Sequence, residues 1–215
     1  MHILNYIVFN KCKFILKNAT KCVSIFLTVS LMIFSTQFYS VTKVLAKATI
    51  IAAYAGVGKT YLGNKYKNVL DLESLNFKWI YSEDVQYLSD EQKKGLNDKR
   101  ELNENWPQNY VEGILKNYSN FDYILVSINS KFLDILDERN IDYILVYPDL
   151  KSKEIYMRRF ICRGNGEKRL SAIQNTFENT IKSLEQRNVK KIVLSGEETL
   201  EDWFIKNNYK LIEKC

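Results

Sequence analysis

From Ala48 onward, short apolar runs alternate with longer stretches whose apolar residues recur every three or four positions. The runs predict strands at 48–54, 68–72, 122–128, 142–147 and 191–195, the fourth stopped by Pro148. Tyr123–Val126 and Tyr143–Val146 are continuously apolar rather than alternating, the pattern of strands covered on both faces. Between them the spacing predicts helices over 61–67, 107–118, 130–139, 152–163, 171–188 and 199–207. The 107–118 helix has Pro107 in its first turn and Val111, Ile114 and Leu115 on one face. Strands separated by helices imply an α/β fold of three layers, with a five-stranded, mostly parallel sheet. The segment 81–104 is polar and weakly periodic and reads as a mobile excursion with a short helix.

Residues 1–47 stand apart as a leader. Cys22–Thr42 is uncharged between Lys21 and Lys43 and about as long as a membrane-spanning helix, roughly 20 residues. Three readings stay open: a membrane anchor, a secretory signal cut near Ala46-Lys47-Ala48, or an extension upstream of the true start. The expectation is a cytoplasmic domain over 48–215, touching a membrane only if 22–42 anchors it.

Charge changes the picture through its location. The chain carries a net +6, yet six lysines and no acid fall in residues 1–48, so the remainder is balanced. A balanced domain gives no sign of a nucleic-acid-binding surface. The cysteines at 12, 22, 162 and 215 form no C-x-x-C pair, which argues against a zinc or thioredoxin-type site. The one histidine is His2, so histidine acid–base chemistry is excluded from the domain.

The candidate chemistry begins at Ala53-Tyr54-Ala55-Gly56-Val57-Gly58-Lys59-Thr60, between the first strand and a helix. This is the setting of a phosphate-binding P-loop, where small residues let the backbone curl round a polyphosphate. Gly56, Val57, Gly58, Lys59, Thr60 and Tyr61 would then bind ATP, and Thr60 would take a Mg²⁺ ligand position. The match departs from the full pattern at Ala53, which stands where the first glycine belongs and therefore needs ordinary backbone geometry.

The second strand ends Asp71-Leu72-Glu73, and carboxylates at strand ends border the ligand crevice of open α/β sheets. Asp71 is the candidate for metal binding and catalysis, Glu73 for the acceptor. The third strand ends Ser127-Ile128-Asn129 without an acid, so either Ser127 or Asn129 acts indirectly or Asp71 or Glu73 supplies the charge. Arg159 and Arg163, four apart on one helix face, are candidates for stabilising a transferring phosphoryl group. Arg158 is offset from them and is a candidate for substrate binding, and Gly164-Asn165-Gly166 reads as a hinge or lid tip. Trp106 and Asn109 open the 107–118 helix, where they would either contact the acceptor or staple the helix start.

A-x-A-G-V-G-K-T, V-L-D-L-E-S, N-W-P-x-N-Y, D-Y-I-L-V-S and Y-I-L-V-Y-P with R-R-F-x-x-R-G-N together resemble the small P-loop nucleoside- and nucleotide-monophosphate-kinase-like, or adenylate-kinase-like, proteins of Gram-positive bacteria and their phages. The resemblance covers 48–215. It implies a P-loop NTPase fold with a short Arg-rich lid, ATP and Mg²⁺ as cofactors, and a small-molecule phosphoryl acceptor. It also implies roles for Lys59 and Thr60 at ATP·Mg²⁺, for Asp71 and Glu73 at the acceptor or metal, and for Arg159 and Arg163 from the lid. The alternative is a module that binds ATP or GTP without phosphoryl transfer, a reading the acid-free third strand keeps open.

Overall fold

Buried on both faces, the apolar runs pair side by side and leave their amphipathic neighbours to cover them. The computed structural model describes residues 47–93 and 96–214. In chain order these form β1 (Thr49–Ala53), α1 (Lys59–Lys65), β2 (Val69–Leu72), α2 (Leu75–Lys78), β3 (Trp79–Tyr81), α3 (Asp90–Lys93), β4 (Arg100–Leu102), α4 (Gln108–Lys116), β5 (Tyr123–Ser127), α5 (Ser130–Glu138), β6 (Tyr143–Pro148), α6 (Lys153–Cys162), α7 (Glu167–Glu185), β7 (Lys190–Leu194) and α8 (Leu200–Lys206). The predicted leader, including the 22–42 run, lies outside the described residues up to Ala46. Among the described residues no helix is long and apolar enough to cross a membrane.

The main sheet has five strands in the order β2-β5-β1-β6-β7, every neighbouring pair parallel. β1 is central, and Ile50–Ala53 are almost completely buried. The chain leaves β1 past β5 to reach β2, then returns and crosses to β6 and β7 on the other side. Right-handed crossovers therefore put α1 on one face and α4, α5 and α6–α7 on the other. α8 returns to the α1 face, where Glu201 accepts hydrogen bonds from Lys65 and the Tyr66 hydroxyl at 2.9 and 2.6 Å. Phe204 of α8 packs 5.0 Å from the Tyr123 ring.

Two predicted elements differ. The 81–104 excursion holds β4, which pairs antiparallel with β3 in the register Trp79↔Leu102, Ile80↔Glu101 and Tyr81↔Arg100. Strands of three residues are too short to display alternation, so the pattern hid them. The helix predicted over 171–188 begins at Glu167, capped by extended Gly166, and ends at Glu185. Its first turn carries one apolar residue, Leu170, which does not register as a period.

The edge of the sheet is closed by a buried amide. Asn68 is 7% exposed; it donates to Asp122 and to the Lys210 carbonyl, both at 2.8 Å, and accepts from the Ile212 N–H at 2.9 Å. It ties the C-terminal tail to the start of β2. Asn68→Ala strips partners from the Lys210 carbonyl and the Ile212 N–H and leaves Asp122 without its amide donor, and is expected to cost about 1–3 kcal/mol in urea unfolding. A change within error would show that the tail docks without it.

Candidate functional site

The carboxyl ends of β1 and β2 carry the candidate chemistry. Ala53 is the last residue of β1, in register with Ser127 and Val146 and fully buried, so its side chain sits in ordinary strand geometry. The bend follows at Gly56 (φ 92°) and Gly58 (φ 103°), left-handed positions that a side chain would strain. A Cβ on Gly56 would also lie 3.2 Å from the Tyr156 ring. The loop is held from behind. The Leu200 N–H, at the start of α8, donates to the Val57 carbonyl at 2.9 Å. Arg159 donates to the Gly56 carbonyl at 3.2 Å and to the Glu197 carbonyl at 2.7 Å, its guanidinium 4.8 Å from the Tyr156 ring centroid.

Lys59 turns back on this loop and donates to the Ala53 and Tyr54 carbonyls at 3.0 and 3.3 Å. Burial holds its pKa below the ordinary lysine value; Asp71 and Glu73 pull it up in part, and Arg163 pushes it down. Beside it the Thr60 hydroxyl donates to Asp71 Oδ2 at 2.8 Å, while Asp71 Oδ1 is buried and receives no hydrogen bond.

Asp71 reaches Thr60 because of a residue that the sequence reading missed. A Cβ on Gly63 would lie 2.7 Å from Asp71 Cβ and 3.0 Å from its backbone nitrogen. α1 thus rests on β2 with no side chain between them. The available signal was a glycine inside a helix, one turn past Thr60, where propensity alone argues against it.

On the other flank, Glu73 accepts from the Ser74 N–H at 3.2 Å. Tyr110, also missed, is buried between β2 and β5; it donates to the Leu72 carbonyl at 2.6 Å and accepts from the Ser127 N–H at 3.3 Å. Its hydroxyl carries the ladder on where the two strands part. Burial raises its pKa well above the ordinary phenol value, which keeps it a donor.

The other candidates divide. Trp106 stacks on Tyr110 with centroids 5.4 Å apart, and Asn109 donates to the Phe77 carbonyl at 2.7 Å while its own oxygen is buried without a donor. Both therefore brace α2 and α4 and border the strand ends only through Tyr110. Asn129 caps α5 by accepting from Phe132 N–H at 3.3 Å, and Ser127 meets Tyr110 through its backbone. Arg158 is exposed and pairs with Glu197 at 3.2 Å. Arg163 is exposed and forms no ion pair among the described residues, yet lies close enough to act on Lys59. Tyr61 is exposed, with the Lys65 ammonium 5.5 Å from its ring centroid.

Comparison with family models, curated proteins and solved structures finds no match to this chain.

Gly63→Ala sets two effects against each other. Helix propensity favours alanine by about 1 kcal/mol. Overpacking against the Asp71 backbone costs about 1–3 kcal/mol. At a contact of 2.7 Å the steric term wins, so the variant is expected to unfold at lower denaturant than wild type. A stabilised variant would contradict the close packing of α1 on β2.

Proposed function

We propose that this chain is a P-loop phosphotransferase that moves the γ-phosphoryl group of ATP to a hydroxyl of a small acceptor. The observation that carries the reading is the Thr60–Asp71 pair beside Lys59, with Asp71 Oδ1 buried and unpartnered. A buried anionic oxygen without a donor is costly, and a divalent cation satisfies it. Among the described residues there is no cluster of three or more His, Cys, Asp or Glu side chains suited to a metal. One hydroxyl and one carboxylate fit Mg²⁺, which keeps several waters and shares the phosphate oxygens of its nucleotide. Thr60 and Asp71 would hold it, and it would supply charge neutralisation at the β- and γ-phosphates.

The chain's own groups take the remaining roles. Backbone N–H groups of the Gly56–Gly58 bend form a concavity for phosphate oxygens. Lys59 exchanges its carbonyl partners for phosphate oxygens. Asp71 is occupied with Thr60, which leaves Glu73 to receive the proton of the acceptor hydroxyl. The acceptor oxygen bonds to the γ-phosphorus as the bridging P–O bond to the β-phosphate breaks, and ADP departs. Arg163 approaches the transferring group. Arg159, with its nitrogens on the Gly56 and Glu197 carbonyls, shapes the loop rather than touching phosphate.

A second reading, nucleotide binding without transfer, is favoured by one observation: β5 ends without an acid, and Asn129 is spent as a helix cap.

The deciding experiment follows ADP formation by the full chain with Mg·ATP, alone and with a panel of nucleosides, nucleoside monophosphates and sugars, against Lys59→Met. Acceptor-dependent turnover lost in the variant is expected. ATP binding with no turnover on any acceptor would favour the second reading, and no ATP binding would sink both.

Lys59→Met also probes stability. Burial lowers the pKa of Lys59 from 10.5, so the unfolded chain holds that proton more tightly than the folded one. The penalty is fully present below the folded-state pKa and fades as pH rises from there to the unfolded value. The variant is therefore expected to be more stable than wild type by about 1 kcal/mol at pH 7, with the gap narrowing by pH 10. A less stable variant would show that the ammonium helps to hold the loop.

A further inference from the structure

Tyr110 holds two strands at the point where they part. The β2–β5 register ends at Leu72↔Val126, whereas β5 continues one residue further along β1, to Ser127↔Ala53. The Tyr110 hydroxyl fills the step that β2 leaves open. It donates to the Leu72 carbonyl at 2.6 Å and accepts from the Ser127 N–H at 3.3 Å. Packing fixes the ring that carries it: Tyr110 is buried, with the Trp106, Phe77 and Phe132 centroids 5.4, 5.2 and 4.8 Å away. α4 lies so close to Phe77 that a Cβ on Gly113, one turn past Tyr110, would sit 2.6 Å from that ring.

The two partners of this hydroxyl lead to different halves of the crevice. The Leu72 carbonyl belongs to the same planar peptide as the Glu73 nitrogen. Holding that carbonyl fixes the peptide from which Glu73 projects. On the other side, Ser127 is in register with Ala53, whose carbonyl accepts from Lys59 at 3.0 Å. One hydroxyl thus links the backbone of the carboxylate assigned to the acceptor with the strand that leads into the glycine-rich loop.

We propose that Tyr110 is a positioning residue for phosphoryl transfer, its hydroxyl setting the distance and angle between Glu73 and the nucleotide held at the end of β1. This rests on the phosphotransferase reading and adds to it the group that places its base. A proton acceptor displaced by about 1 Å costs about 100-fold in rate, while ATP binding rests on the loop after β1.

Tyr110→Phe in the full chain keeps the ring and removes the oxygen. Its kcat for acceptor-dependent ADP formation is expected to fall by about 10- to 100-fold, with the KM and the calorimetric affinity for Mg·ATP within about twofold of wild type. Amide exchange followed by NMR gives a reading independent of turnover. The Ser127 N–H is expected to exchange about tenfold or more faster than in wild type, with the amides in the paired part of β5 unchanged. An unchanged kcat, a loss of kcat together with ATP affinity, unchanged Ser127 exchange, or a variant too unstable to assay overturns the proposal. A wild-type protein that binds ATP and forms no ADP with any acceptor removes the transfer reading and this role with it, while the exchange measurement still shows whether the hydroxyl joins the strands.

Discussion

The arrangement at the strand ends depends on one contact, the seating of α1 directly on β2 at Gly63. With no side chain there, the helix comes down until its backbone meets Asp71. That closeness brings the Thr60 hydroxyl onto the Asp71 carboxylate and leaves the second carboxylate oxygen sealed from solvent. A methyl group at position 63 would lift the first turn of α1, and with it Lys59 and Thr60, away from β2. The α1 helix is seven residues long and gains little from its own propensity. Its position is set by what it packs on.

The loop before it is held in a shape that it would not adopt alone. Two glycines take left-handed geometry, the Lys59 ammonium faces two carbonyls, and Arg159 is clasped to Gly56 and Glu197. They persist because Val57 and Tyr156 are buried around them and because α8 donates to the loop. A loop held this way on a parallel sheet keeps its groups in fixed positions.

Much of the fold was legible because burial on both faces writes a continuous apolar run. β5 and β6 stood out as Tyr-Ile-Leu-Val, and all five main strands were found within a few residues. The β3–β4 pair was not found: it is short, and its Trp79, Tyr81 and Arg100 contacts depend on residues more than fifteen positions apart. At the site, Lys59, Thr60, Asp71 and Glu73 were readable from spacing and strand ends. Gly63 and Tyr110 were not, because neither role has a local signature. One is a matter of clearance between a helix and a strand, the other of a hydroxyl spanning two strands that the chain order separates.

The roles of the arginines divide in the same way. Sequence spacing put Arg159 and Arg163 on one helix face; the helix ends at Cys162 and Arg163 is its C-cap. Only the tertiary structure decided that Arg159 would be consumed by the Gly56 and Glu197 carbonyls while Arg163 stayed exposed beside Lys59. By itself the sequence determined the layered α/β class, the strands and the glycine-rich bend, since each follows from periodicity or from backbone freedom within a few residues. The strand order and the Thr60–Asp71 bond were settled by packing, because each joins groups that meet only when distant elements share one surface.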